Sequence, residues 1–207
     1  MKWLLIAGVT ILLVGAVAVW SRRSGSSALE VTDADLQRAA DGLLALVNPE
    51  LPSNAYFPEY VTDKLAWLNA EHAAGRLDVR FFHDTPENSL PPDIVMASMW
   101  EGGKGVILLS KKRFAADLLD TGGVRPPFSA RQRNDFVISL VHELVHLQDG
   151  VSDERRVWAE VNAQVVRPLR ARSEPLNPRF IEVDKALRAC QDRLPCPALE
   201  RLVRLQM

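Results

Sequence analysis

Residues 140–150 read Leu-Val-His-Glu-Leu-Val-His-Leu-Gln-Asp-Gly (LVHELVHLQDG). His142 and His146 stand four apart, so on an α-helix they project together from one face, a turn apart. Phe136, Val137, Leu140, Val141, Leu144 and Val145 recur at helical spacing and form an apolar stripe beside them. Ser129-Ala130-Arg131-Gln132 has the form of a capping box, and Gly150 stands just past the last turn. The spacing predicts a helix over 130–149 that presents two imidazoles to one point.

Upstream, Thr32-Asp33-Ala34-Asp35 has capping chemistry, and Leu36, Ala39, Ala40, Leu43, Leu44 and Val47 continue at helical spacing to Asn48-Pro49. A second helix is expected over about 62–74, with Gly75 as its stop. The period then changes. Residues 77–82 read as a strand, and 94–100 and 106–110 as two more joined by a glycine-rich hairpin turn at 101–105. Downstream of the central helix, Ser152 is expected to cap another helix, which Pro168 kinks or ends. Asn177-Pro178 starts a third, and a last helix covers 197–206. The order is helices, a small antiparallel-containing sheet, then helices, which is an α+β layout.

The chain has 207 residues, enough for one compact domain besides its first twenty. Its net charge of −1 offers no basic excess for nucleic acid and no acidic tail for a basic partner. Trp3 to Trp20 contains no charge, and as a helix at ~1.5 Å per residue it spans ~27 Å, close to a bilayer core. Lys2 precedes it and Arg22-Arg23 follow. The segment reads as an anchor or, through Ala16-Val17-Ala18, as a cleavable signal peptide. The expected organisation is a membrane segment over 1–23, a linker over 24–29 and a domain over 30–207. Arg22-Arg23 slightly favour a cytoplasmic domain, whereas Cys190 and Cys196, the chain's two cysteines, read as a small disulfide loop and favour export.

The chemistry rests on His142, Glu143 and His146. Two imidazoles at i and i+4 can reach one zinc ion at ~2.0–2.1 Å. Glu143, ~100° further round the helix, is poorly placed as a third ligand from the same turn and well placed as a general base toward a water at the metal. A third protein ligand is required. Asp149, Asp153 and Glu154 are near in sequence, and Glu160 lies on the following helix; Glu160 is favoured, because a tight turn at 150–152 would fold that helix back along the first. Val157, Val161 and Val165 would then pack the two helices together. Tyr56, Tyr60 and His83 are candidates by residue type for stabilising an oxyanion.

His142-Glu143-Leu144-Val145-His146, followed by Glu160-Val161-Asn162-Ala163 in an E-x-x-A pattern, resembles the gluzincin zinc metallopeptidases, and is most similar to small, minigluzincin-like members. The explicit match covers about residues 134–170. The resemblance implies a zincin-like domain in which a small sheet lies on the motif helix and a ligand helix follows. It implies zinc on His142, His146 and Glu160, Glu143 as the catalytic base, and an extended peptide or protein substrate paired with an edge strand of the hairpin. The alternative is a catalytically inactive, membrane-tethered zincin-like binding protein.

Overall fold

The computed structural model describes residues 31–48, 50–82 and 95–204. The Trp3–Trp20 segment, His83 and the first residue of the expected second strand lie outside them. Among the described residues no helix is long and apolar enough to cross a membrane.

The architecture is α+β. Helix α1 (Asp33–Leu46) leads through a 3-10 turn (Pro52–Asn54) to α2 (Glu59–Ala73). Three strands follow, β1 (Leu77–Phe81), β2 (Met96–Glu101) and β3 (Lys104–Leu109), then α3 (Lys111–Thr121) and α4 (Ala130–Asp149). Helix α5 (Glu154–Val161) passes through a π-helical turn (Asn162–Val166) into α6 (Arg167–Ala171), and α7 (Pro178–Ala189) and α8 (Pro197–Arg204) complete the order.

Most elements fall where the periodicity puts them, with three differences. Helix α2 begins at Glu59, three residues early, because Pro58 (φ −58°) supplies the entry and Val61 is drawn into the core. The cap of α5 is Asp153, whose side chain accepts from the Arg155 N–H, rather than Ser152. Pro168 does not end its helix, which continues to Ala171. It lacks an N–H, and the preceding turn widens, so that the Arg167 N–H reaches the Asn162 carbonyl five residues back.

The sheet is mixed, in the order β1-β3-β2, with β1 parallel and β2 antiparallel to β3. Gly102 (φ 59°) and Gly103 (φ 80°) make the two-residue turn, which needs positive φ at both positions. Strand β2 is an edge of this sheet. The Ser110 N–H donates to the Val95 carbonyl (2.9 Å), so Val95, Ala97, Met99 and Glu101 turn their backbone groups toward β3. Met96, Ser98 and Trp100 therefore turn theirs outward, to an edge that no other strand pairs with among the described residues.

The core lies between the sheet and α4. Val137, Ile138, Leu140, Val141, Leu144 and Val145 of α4 are fully buried, as are Ile107 of β3 and Val157, Val161 and Val165 of the following helix. The capping box is formed: Gln132 N–H donates to Ser129 Oγ, and Ser129 N–H to Gln132 Oε1. Cys190 and Cys196 are joined as a disulfide between α7 and α8, with Cα atoms 5.7 Å apart.

Candidate metal centre

Gly150, at φ 65°, ends α4 in the left-handed conformation and turns the chain back at once. The Val151 carbonyl then accepts from His146 Nδ1 at 2.5 Å. That bond fixes the ring, and in the neutral imidazole it leaves the lone pair on Nε2. Asp153 caps α5 immediately afterwards, so the first turn of α5 lies against the histidines.

The carboxylate brought there is Glu154. Its Oε2 lies 3.0 Å from His142 Nε2 and its Oε1 3.2 Å from His146 Nε2. The two Nε2 atoms are 3.3 Å apart. Donor atoms around a tetrahedral ion with bonds of ~2.0–2.1 Å are separated by ~3.3 Å, and the two Nε2 atoms have that spacing; the two Glu154 contacts use different oxygens, either of which could be the third donor to a metal ion. Among the described residues these three form the group suited to a metal.

This differs from the preferred expectation. Glu160 is not in the group; its Oε1 accepts from the Tyr60 hydroxyl at 2.5 Å. The reason is helical geometry. Glu160 lies six residues after Glu154, ~9 Å along the axis and ~240° round it. The position that shares Glu154's face is Trp158, whose ring lies 4.4 Å from that of His142. Asp149 and Asp153 are also accounted for elsewhere: Asp149 pairs with Lys64 at 2.5 Å, and Asp153 with Arg155 at 2.9 Å.

Burial works against charge on Glu154, but hydrogen bonds with His142 and His146 hold its carboxyl far below the usual range. Burial likewise opposes protonation of His146, and its bond to Glu154 outweighs that and raises its pKa. Glu154 and the two histidines thus stabilise each other's charged forms, and a metal ion on the imidazoles would take the place of the proton. His142 Nδ1 is buried without a hydrogen-bond partner among the described residues.

Glu143 stands next to this group, buried on α4. Burial raises its pKa, opposed by the nearby histidines and by a hydrogen bond from Ser98 Oγ at 2.7 Å. A carboxyl whose pKa is raised holds a transferred proton more readily than a solvated one, as a group that takes up and passes on a proton must. Ser98 escaped the sequence reading; alternation along β2 places it on a face, but the identity of that face follows only from the packing of β2 on α4. Of the oxyanion candidates, Tyr56 donates to Asn134 Oδ1 at 2.8 Å and Tyr60 to Glu160, and His83 lies outside the described residues.

No family model matches the chain, and no curated protein or solved structure matches it either.

Proposed function

We propose that the chain is a zinc-dependent metallopeptidase of gluzincin type, with a zincin-like domain. The observation that carries this reading is the convergence of His142 Nε2, His146 Nε2 and Glu154 at 3.0–3.3 Å beside a buried Glu143. The ligand set proposed is His142, His146 and Glu154, with Glu154 in the place the sequence reading gave to Glu160. Zinc held there supplies Lewis acidity toward a peptide carbonyl and toward water.

The chain's own residues account for the rest. Glu143 accepts a proton from the attacking water and delivers it to the departing amine nitrogen. The free edge of β2 supports an extended peptide as substrate, because the backbone groups of Met96, Ser98 and Trp100 are turned to it. Trp100 adds an apolar contact. It is 56% exposed and pairs with Gly105, whose missing side chain would face Leu147 of α4. The indole therefore stands on the α4 side of the strand. The Cys190–Cys196 bridge and the uncharged Trp3–Trp20 run support an anchored or exported protein in an oxidising compartment.

The test is cleavage of fluorescein-labelled casein by the zinc-loaded chain and by Glu143→Gln. Turnover that falls ~10²–10⁴-fold in the variant, with zinc content unchanged, is the expected result. Bound zinc without cleavage by the parent chain would replace the enzyme with a zincin-like binding protein.

A further inference from the structure

We infer that Ser98 is a positioning residue for the general base, and that one strand position thereby aligns both the base and the substrate. The inference rests on the peptidase reading.

A glutamate's terminal torsion is soft, because rotation about an sp³–sp² bond has broad minima. A buried carboxylate meant to exchange protons at one point therefore needs a hydrogen bond that fixes its plane. Among the described residues, Ser98 is the side chain that hydrogen-bonds Glu143, through Oγ to Oε2 at 2.7 Å. That leaves Oε1 for the proton being moved.

The strand parity explains why a residue on β2 can do this. Gly105 points its missing side chain at Leu147 of α4 and pairs with Trp100, so Trp100, Ser98 and Met96 all face α4. Two strand residues advance ~6.6 Å and four helical residues ~6 Å, so Ser98 comes level with Glu143 when Trp100 is level with Leu147. The same parity turns the Ser98 backbone N–H and carbonyl outward from β3. A peptide pairing with this edge hydrogen-bonds the backbone of the residue whose hydroxyl holds the base. The register of the scissile bond and the orientation of Glu143 are then set by one residue, rather than by two elements free to shift against each other.

Ser98 does not itself exchange the proton, and its backbone contacts survive substitution. Removing its hydroxyl should therefore affect turnover and leave substrate affinity intact. The zinc-loaded chain, Ser98→Ala, Ser98→Thr and Glu143→Gln are compared on labelled casein, with zinc measured in each. A lost hydrogen bond to a charged group predicts a fall in kcat of about 10- to 100-fold for Ser98→Ala. KM and zinc content stay near the parent values, and Ser98→Thr restores most of the rate. A second readout needs neither metal nor turnover: the ¹³C-carboxyl resonance of Glu143 in the metal-free chain, assigned by its loss in Glu143→Gln. It moves in Ser98→Ala and returns toward the parent position in Ser98→Thr. Cleavage by the parent, loss in Glu143→Gln and an unchanged kcat in Ser98→Ala would overturn the role of Ser98 and leave the peptidase standing. A loss in Ser98→Ala confined to KM would also overturn it. No cleavage by the zinc-loaded parent would remove both.

Discussion

Asp135→Asn should stabilise the protein at neutral pH, by an amount that vanishes on acidification. Asp135 lies in the second turn of α4 and is 9% exposed. Burial pushes its carboxyl up to about 6, although the Asn177 N–H at 2.8 Å and the nearby Arg131 and Arg179 draw it down. From the ordinary 3.8 this is a rise of roughly 2 units, or about 3 kcal/mol at ~1.4 kcal/mol per unit. Relaxation around the charge brings the expected gain to about 1–3 kcal/mol. Asparagine keeps an oxygen for the Asn177 N–H, so the local cap survives. A raised carboxyl pKa means that the folded chain binds more protons than the unfolded one between about pH 4 and 6. This group's contribution is therefore fully present below about pH 4 and is lost as pH rises through about 6. Urea unfolding of the parent and variant in metal-free buffer, from about pH 4 to 8, measures it. The difference should favour the variant above about pH 6.5 and close as pH falls toward 4. A difference independent of pH, or a variant less stable at neutral pH, would refute the assignment.

Two further outcomes follow from the described contacts. Replacing both Cys190 and Cys196 by serine opens a short loop, and the chain-entropy estimate for about seven residues gives a loss of ~2 kcal/mol in denaturant unfolding. A loss under ~0.5 kcal/mol would show that α7 and α8 are held by packing alone. Asp184 is fully buried among Arg167, Arg170, Arg188 and Asn162. Burial opposes its charge, but these partners hold its carboxyl below the usual range, so its contribution is present at neutral pH and is lost as pH falls. Asp184→Ala leaves three guanidinium groups without it and should cost about 2–4 kcal/mol by the same unfolding assay; an effect near zero would contradict the role of this network.

Much of the fold was legible because apolar spacing and capping chemistry are local. The 130–149 helix, its capping box, the Gly102-Gly103 turn and the Asn177 cap all follow from residues within a few positions of one another. The parallel pairing of β1 with β3 was not legible, since β2 and the segment before it separate the two strands in sequence. At the site, the helix period alone brought His142 and His146 together. Choosing the third carboxylate required the path of the chain between two helices. Gly150 and the Asp153 cap make that path short, so Glu154 arrives where the longer reach assumed for Glu160 is unnecessary. A signal was present: a C-terminal glycine, then an aspartate cap, then a glutamate in the first helical turn. Ser98 could not be found from sequence, because its partner is 45 residues away.

The central claim is a zinc ion on His142, His146 and Glu154. Elemental analysis of the chain purified with zinc, alongside His146→Ala, Glu154→Ala and Glu160→Ala, tests it most directly. The account predicts one zinc per parent chain, lost in His146→Ala and Glu154→Ala and kept in Glu160→Ala. Zinc kept in Glu154→Ala and lost in Glu160→Ala, or no zinc in the parent at neutral pH, would contradict it.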